Sequence, residues 1–225
     1  MNSLQRRAWG GFLFLFVVLA LLLFLPVWSI DYWQAWVYLA VFFVSTGAIT
    51  VYLLKNDTAL LQRRMRVGSA AEHEKTQKVI QNFARIAFLA VYLVPAFDHR
   101  YAWSSVPTFA VIAGDALVFT GLLIIFLVFK ENSFASATVE LGQDQTVVST
   151  GPYALVRHPM YSGGLLMLAG TPLALGSWLG LLTLIPMTFA IVWRLLEEER
   201  FLAKSLPGYV EYCAKVRSRL IPRFL

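Results

Sequence analysis

GGFLFLFVVLALLLFLPVW, residues 10–28, carries no charged side chain and follows a short segment that contains Arg6 and Arg7. An uncharged run of this length matches the roughly 20 apolar residues that an α-helix needs to cross a bilayer. A signal peptide also joins a basic start to an apolar core, but that core is only roughly 7–15 residues long and ends at a small-residue cleavage site. No A-x-A site follows here. We therefore interpret the run as a first transmembrane helix.

Similar apolar runs recur along the chain and predict an all-α integral membrane protein with about six transmembrane helices. The later runs cover about residues 33–54, 83–97, 108–129, 161–175 and 178–193. The last two are short and lie on either side of Gly176 and Ser177. We therefore expect them to form a helical hairpin.

The low content of charged residues indicates that much of the protein surface contacts lipid. Only 14% of residues are charged and the mean hydropathy is +0.64, whereas a soluble domain has roughly 25% charged residues. Of the 19 Lys and Arg residues, Arg100 alone falls on the far face of a six-span arrangement. The positive-inside rule then makes the opposite face cytoplasmic, with both termini on it. The net charge of +6 therefore indicates membrane lipids as the partner, and no nucleic acid.

The scarce cysteine and histidine residues exclude two kinds of site. Cys213 is the only cysteine, which excludes an intramolecular disulfide and a Cys-rich metal site. His73, His99 and His158 are far apart and form no HExxH or HxxxH pair. We therefore expect no metal centre.

The distribution of polar and apolar residues divides the chain into two regions. Residues 1–130 hold the first transmembrane helices and a polar stretch of about residues 55–81, which we interpret as interfacial. Residues 131–225 begin with a polar connection, continue with the hairpin and end in charged, amphipathic segments. A connection as long as residues 130–157 is often functional, so we expect the site in this second region.

Three segments of the second region hold polar residues that are candidates for a functional site. They are QTVVSTGPY at 145–153, RHPMYSG at 157–163, and the C-terminal segment with RLLEEE at 194–199 and PGYVEY at 207–212. Each alone has a structural interpretation, such as a turn, a helix start at Pro159 or a solvated helix end. Arg194 and Glu198 are four residues apart and could simply pair on one helix face. Yet an ionisable group facing a bundle interior at a membrane boundary is a functional hypothesis by default.

Together, the pattern GPY-x3-RHP-x-Y-x-G, then EE and GY-x2-Y, resembles the isoprenylcysteine carboxyl methyltransferase family. It is most similar to the shorter prokaryotic members, which are grouped with phospholipid N-methyltransferases, and it runs from about Asn132 onward. The resemblance implies S-adenosylmethionine held at the cytoplasmic edge of a prokaryotic plasma membrane, with Arg194 binding the acceptor. The residues that it assigns to the cofactor are Gln145, Thr146, Val147, Val148, Tyr153, His158, Pro159, Met160, Tyr161 and Glu198.

Two residues depart from the eukaryotic members of that family. Pro152 stands where those enzymes have an aliphatic residue in the turn, and Gln145 stands in place of a histidine. Both departures weaken the inference that this chain shares the prenyl-cysteine substrate of those enzymes.

The chemistry of these residue types agrees with the resemblance. Glu198 can accept hydrogen bonds from hydroxyls or an ammonium group. His158 and backbone N–H groups near Pro159 can meet a carboxylate at a helix N-terminus. An acceptor carboxylate is already ionised at pH 7 and needs no general base, but it needs a cation such as Arg194 to orient it.

The sequence is therefore compared with four possible functions of the protein. The favoured one is O-methylation of a lipophilic carboxylate, of an isoprenylcysteine type, on a small-molecule or lipidated acceptor that enters from the bilayer. A phospholipid or amine N-methyltransferase is the nearest alternative, although Arg194 suits an anionic acceptor. An NAD(P)H-dependent membrane reductase would need more basic residues than the acidic run at 197–199 offers. A non-enzymatic membrane protein would need polar residues in several spans. The sequence does not indicate an oligomeric state.

Charged residues outside these segments have structural interpretations. Asp115 lies within an apolar run, and we expect it to form a local hydrogen bond there. Asp98 and Arg100 lie in a predicted turn, and we expect them to form an ion pair.

Overall fold

The computed structural model describes residues 3–65, 75–136 and 145–223, and this part of the chain is all-α, as predicted. The α-helices are α1 (Ser3–Val27), α2 (Trp33–Asn56), α3 (Thr58–Arg64), α4 (Lys75–Tyr101), α5 (Thr108–Glu131), α6 (Pro159–Ala174), α7 (Leu184–Ser205) and α8 (Tyr209–Lys215). Two short 3-10 helices, Gly151–Ala154 and Leu179–Thr183, precede α6 and α7.

In the described part of the chain, five helical segments are long and apolar enough to cross a membrane, and the chain is an integral membrane protein. They are Ser3–Val27, Trp33–Asn56, Thr76–Tyr101, Thr108–Glu131 and Leu179–Ser205. Their outer surfaces carry large apolar side chains such as Phe14 and Phe109, which are 70% and 76% exposed. Lipid is the solvent that suits such a surface.

The predicted fifth span is α6, which has only 16 residues, fewer than the roughly 20 of a typical crossing. It runs antiparallel to α5, and pairs of glycines form the contact. A Cβ on Gly114 would lie 2.3 Å from the backbone nitrogen of Ala174, and a Cβ on Gly163 would lie 2.7 Å from the carbonyl oxygen of Gly121. No residue of α6 is exposed. Because neighbouring helices surround it, its length need not match the thickness of the bilayer.

α6 and α7 form the predicted hairpin, but its second arm begins differently. The hydroxyl of Tyr161, in the first turn of α6, bonds to Glu198 near the end of α7, so the two helices are antiparallel. A helix was expected from about residue 178, whereas a 3-10 helix comes first and α7 begins at Leu184. The Ser177 hydroxyl accepts the N–H of Gly180 at 2.8 Å and stabilises this tight start.

Helix ends that are distant in sequence meet at one face of the bundle, which we call the site face. Ala8 of α1, Leu60 of α3 and Val128 of α5 belong to one buried cluster there. Tyr161 and Glu198 bring the start of α6 and the end of α7 to the same face. The first helix therefore begins, and the last long helix ends, on one side, as the six-span arrangement requires.

At the opposite face, the expected ion pair between Asp98 and Arg100 is wrong. Asp98 is fully buried and accepts the N–H of Ser104 at 2.8 Å and the hydroxyl of Ser177. Arg100 instead donates to the carbonyl of Pro26 at 2.8 Å. Residues two positions apart on a helix point in different directions, so these two side chains cannot meet.

The expected local hydrogen bond of Asp115 is also wrong. Asp115 is buried in α5, and neither of its carboxylate oxygens has a hydrogen-bond partner among the described residues. Along its own helix, a side chain lies beside the residues three or four positions away. Those residues are all apolar: Val111, Ile112, Val118 and Phe119.

α4 begins well before the apolar run that predicted it. The run was expected at about residues 83–97, whereas the helix covers Lys75–Tyr101. Its first turns therefore fall within the stretch 55–81 that was expected at the membrane interface. α3 covers another part of that stretch, and residues 66–74 lie outside the described residues.

Candidate methyltransferase site

A cavity of about 440 Å³ lies at the site face, where the ends of several helices meet. This volume falls within the roughly 300–1,000 Å³ of small-molecule sites. Every residue that the sequence analysis assigned to the site lines it: Gln145, Thr146, Val147, Val148, Tyr153, His158, Pro159, Met160, Tyr161, Arg194 and Glu198. The structure thus brings together three segments that lie far apart in sequence.

One wall of the cavity carries a hydrogen-bonded series of three side chains. The Tyr161 hydroxyl donates to Glu198 Oε2 at 2.6 Å. The same hydroxyl accepts the Nε–H of Arg194 at 3.1 Å, and Nη1 of Arg194 donates to Gln77 Oε1 at 3.1 Å. Tyr161 therefore links the guanidinium of Arg194 to the carboxylate of Glu198 and fixes the positions of both groups in the cavity wall.

The loop before α6 is fixed by the C-terminal end of the chain. Pro159 is the first residue of α6 and His158 is its N-cap, as the sequence predicted from the preference of proline for this position. The backbone N–H of His158 donates to the carbonyl of Arg219 at 3.0 Å. His158 makes no side-chain cap, so its side chain does not occupy the first-turn N–H groups of α6, which suit an anion.

Glu198 and Glu199 have different surroundings although they are adjacent. The Glu199 carboxylate lies 3.2 Å from the ring of His158 and 3.0 Å from Arg219. It also lies 3.1 Å from Nε of Arg157, close enough for an ion pair. Glu199 thus holds side chains of which Arg157 and His158 line the cavity, whereas Glu198 lines the cavity itself.

The segment 145–148 lies across the cavity from this wall. Val147 packs against the buried cluster of Leu206, Tyr209 and Tyr212. The 3-10 helix that follows begins at Gly151, whose φ of +56° is in the left-handed region that glycine adopts most easily. This turn directs the chain back toward α6.

Tyr153 is held by hydrogen bonds at both its side chain and its backbone. Its hydroxyl accepts Nδ2–H of Asn132 at 2.9 Å, and its carbonyl accepts the hydroxyl of Tyr212 at 2.7 Å. Burial raises the pKa of Tyr153 to about 12, although the bond from Asn132 lowers it and the charge of Glu198 raises it further. Tyr153 therefore carries a neutral hydroxyl at physiological pH.

Several polar residues that line the cavity or support it were not among the predicted site residues. Arg64, Gln81, Asn132 and Ser136 are among those that line it, and Gln77 is buried beneath Arg194. Gln77 and Gln81 are four residues apart on the first turns of α4, so they share one helix face. That spacing is the available signal in the sequence, and the prediction of an interfacial stretch does not use it.

The donors and acceptors around the cavity fit S-adenosylmethionine. Tyr209 is 4% exposed and lines the cavity, yet its hydroxyl has no partner in the described part of the chain. An unsatisfied buried hydroxyl costs about 1–3 kcal/mol, which a polar ligand would recover. Glu198 suits hydroxyl or ammonium groups, and the start of α6 suits a carboxylate.

The cavity also reaches the apolar part of the bundle. Ile125 of α5 and Ile191 of α7 line it, and both lie within segments long enough to span a membrane. A ligand in this cavity can therefore touch polar groups at one end and membrane-level side chains at the other.

Comparison with known proteins agrees with this geometry. A phospholipid methyltransferase family model matches residues 109–207, which is less than half of the chain. The match begins at α5, earlier than the resemblance that starts near Asn132, and it includes most of the cavity wall. It indicates a membrane methyltransferase.

A shorter match is to the cobalt-zinc-cadmium resistance protein CzcN of Cupriavidus metallidurans. The two sequences are 33% identical over 75 residues, which are 32% of this chain and 34% of the relative. The chain thus aligns with about a third of the length of that relative.

Proposed function

We propose that this chain is an S-adenosylmethionine-dependent membrane methyltransferase that methylates the carboxylate of a lipophilic acceptor. The reaction takes place at the cytoplasmic face of a prokaryotic plasma membrane. The observation that carries the proposal is the series Glu198–Tyr161–Arg194 on one wall of the cavity. In this proposal, the carboxylate of Glu198 serves the cofactor, and the guanidinium of Arg194, bonded to the same tyrosine, serves the acceptor. The family match supports methyl transfer.

The proposed cofactor contacts divide the cavity by chemistry. Glu198 accepts hydrogen bonds from ribose hydroxyls or from the amino group. The N-terminus of α6 at Pro159 holds the carboxylate. Tyr153 offers its ring to the adenine or the sulfonium, and the segment 145–148 closes the opposite side. When bound, S-adenosylmethionine supplies a methyl group activated by its positively charged sulfur.

The acceptor needs orientation more than activation. A carboxylate is ionised at pH 7, so no general base is required. Bound S-adenosylmethionine would supply the methyl group, and the transfer would give a methyl ester and a neutral thioether with no proton transferred. Arg194 holds the carboxylate in line for this displacement. The apolar part of the acceptor lies along Ile125 and Ile191.

The second candidate is N-methylation of a phospholipid amine. The description of the matched family favours it. An ammonium headgroup would first have to lose a proton, and the guanidinium of Arg194 repels its charged form. The carboxylate acceptor therefore agrees better with the cavity wall.

The proposal is tested by measuring transfer and cofactor affinity in the same purified samples. Methyl transfer from labelled S-adenosylmethionine is followed with a panel of lipophilic acids and amines, and cofactor affinity is measured by calorimetry. Arg194→Lys keeps the charge but loses the planar fork, so transfer to acids should fall while cofactor affinity stays near wild type. Glu198→Ala should weaken cofactor binding by about 10- to 150-fold, since a hydrogen bond to a charged group contributes about 1.5–3 kcal/mol.

Two neighbouring residues of α7 serve as matched controls. Arg200 and Glu197 pair with each other and neither lines the cavity. Arg200→Lys and Glu197→Ala should leave both quantities unchanged. If Arg194→Lys lost cofactor binding first, or if only amines were methylated, the carboxylate assignment would be wrong.

A further inference from the structure

Gly164, in the second turn of α6, borders open space inside the cavity. It lines the cavity, and a Cβ added there would meet no atom of the described residues within 4 Å, its chain neighbours and its own helix backbone aside. We infer that Gly164, Ile125 and Ile191 form a slot that selects acceptors with a branch on the carbons beside the methylated group. This inference rests on the proposed function, because it takes Arg194 as the group that holds the acceptor.

The preceding glycine has a packing role that Gly164 lacks. A Cβ on Gly163 would lie 2.7 Å from the carbonyl oxygen of Gly121 and 3.1 Å from the side chain of Ile124, both on α5. Gly163 is therefore needed for the close contact between the two helices. No such contact with a described residue accounts for Gly164, although glycine within a helix costs stability relative to alanine. A role in the cavity explains this glycine where helix packing does not.

The contact at Gly163 also fixes which face of α6 meets the cavity. The residues of α6 that line the cavity are Pro159, Met160, Tyr161 and Gly164. Tyr161 and Gly164 are three residues apart, so they share one helix face. Because Gly163 holds the helix against α5 in this rotation, a side chain at position 164 would project into the cavity.

Ile191 lies at a similar depth on the opposite helix. It lines the cavity from α7, three residues before Arg194. Three residues of an α-helix span about 4.5 Å, so Ile191 lies about one such step from Arg194 on the side away from the site face. Gly164 lies the same number of residues beyond Tyr161, whose hydroxyl bonds to Arg194. The slot therefore lies directly beyond the group that holds the acceptor.

Buried side chains close the slot one helical turn deeper. The residues three or four positions further from the site face on α5, α6 and α7 are Leu122, Leu168 and Met187. Each is buried and belongs to the same hydrophobic core cluster, and none of the three lines the cavity. The slot is therefore short, and it holds the carbons nearest to Arg194 rather than the whole of a long tail.

The position of the slot decides which part of an acceptor it selects. With the carboxylate on Arg194, a step of about 4.5 Å covers the first few carbons, since a carbon–carbon bond is about 1.5 Å long. Ile125 and Ile191 make the walls apolar at this level, so they suit a hydrocarbon substituent. A linear chain that passes Ile191 would leave the space beside Gly164 unfilled and would forfeit dispersion contacts there. A branched chain would fill it.

The experiment compares two isomeric acids that differ only in branching. Lauric acid is linear, whereas 2-butyloctanoic acid carries its branch on the carbon next to the carboxylate. The full-length protein in a neutral detergent is titrated with each acid by calorimetry, and the ratio of the two dissociation constants is taken for each variant. Comparing this ratio between variants removes the partition of each acid into the detergent. The measurement needs no methyl transfer.

Filling the slot should remove the preference for the branch. Gly164→Leu should weaken binding of 2-butyloctanoic acid relative to lauric acid by about tenfold or more, because leucine overpacks the space that the branch occupies. Gly164→Ala should shift the ratio in the same direction by a smaller factor. In both variants the affinity for S-adenosylhomocysteine should stay within about twofold of wild type, since the groups assigned to the cofactor are unchanged.

Gly11 on α1 provides a matched control for the added side chain. A Cβ on Gly11 would also meet nothing within 4 Å among the described residues, and Gly11 lies in a helix long enough to span the membrane. It differs from Gly164 in that it does not line the cavity. Gly11→Leu should therefore leave the ratio within about twofold of wild type.

Several results would overturn the slot. They are an unchanged or reversed ratio in Gly164→Leu, an equal loss of both acids, an equal shift in Gly11→Leu, and wild-type protein that binds the linear acid alone. Loss of S-adenosylhomocysteine binding as large as that of the branched acid would also overturn it, because the space would then belong to the cofactor. If Gly164→Leu does not fold, as judged by a thermal melt, Gly164→Ala decides, since an unchanged ratio there refutes the slot.

Two isomeric amines, dodecylamine and 2-butyloctylamine, separate the slot from the proposed function. A Gly164-dependent ratio for the amines, with no binding of either acid, would support the slot and refute the carboxylate acceptor. A Gly164-dependent ratio for the acids, with no binding of S-adenosylhomocysteine to wild type, would support the slot and refute the cofactor. Wild-type binding of S-adenosylhomocysteine and both acids, with a ratio that Gly164→Leu leaves unchanged, would refute the slot alone. Wild-type protein that binds none of the acids or amines would overturn the slot.

Discussion

Replacing Tyr161 by phenylalanine tests whether the shared tyrosine organises the site. The hydroxyl donates to Glu198 at 2.6 Å and accepts from Arg194 at 3.1 Å. Tyr161→Phe removes both bonds and keeps the ring that packs beside His158. We expect weaker cofactor binding, because Glu198 loses the donor that fixes its position.

The magnitude follows from the two contacts. A hydrogen bond to a charged group contributes about 1.5–3 kcal/mol, and each 1.36 kcal/mol is about a factor of ten. Arg194 retains its bond to Gln77, and Glu198 keeps its charge. The lower end of the range therefore applies, and the affinity for S-adenosylmethionine should fall about tenfold.

The assay is calorimetric titration of purified Tyr161→Phe with S-adenosylmethionine, with Tyr92→Phe as the control. Tyr92 is fully buried and bonds to the hydroxyl of Tyr38 at 2.8 Å, but neither lines the cavity. The control should lose stability, by about 1–2 kcal/mol, and keep wild-type affinity. Wild-type affinity in Tyr161→Phe, or an equal loss in both variants, would refute the reasoning.

Two further predictions concern the fold. Gly114→Ala should lower the stability by about 1–3 kcal/mol, because the added Cβ would lie 2.3 Å from the backbone of α6. An added Cβ at Gly164 meets nothing within 4 Å, so Gly164→Ala should be neutral or stabilising. A thermal melt in detergent compares the two variants. Reporters fused after Leu225 and near His99 should report opposite sides of the membrane, with the Leu225 fusion cytoplasmic, and signals from the same side would contradict the six-span arrangement.

The family resemblance assigned the predicted site residues, which all line the cavity, and short-range patterns agree with part of that assignment. Pro159 indicated a helix start, and the four-residue interval between Arg194 and Glu198 placed both on one helix face. These features depend on neighbouring residues, which the sequence shows directly. The sequence did not show that Tyr161 would join Arg194 to Glu198, because that contact links two separate helices.

The errors arose where the outcome depends on tertiary packing. The length of α6 agrees with the short predicted run, but its close contact with α5 at glycines such as Gly114 depends on tertiary packing, which the sequence did not show. Asp98 bonds to Ser177, a residue far along the chain that no local pattern could indicate. Arg64 was overlooked because a basic residue beside a membrane span is usually a lipid-facing flank.

The central claim is that the cavity at the site face binds S-adenosylmethionine. The most direct measurement is calorimetric titration of the purified, folded wild-type protein with S-adenosylmethionine and, separately, with NADPH, after mass spectrometry of any nucleotide that co-purifies. The account predicts saturable binding of S-adenosylmethionine that Glu198→Ala weakens about tenfold or more, and no binding of NADPH. Saturable binding of NADPH, or no binding of S-adenosylmethionine to the folded protein, would contradict it.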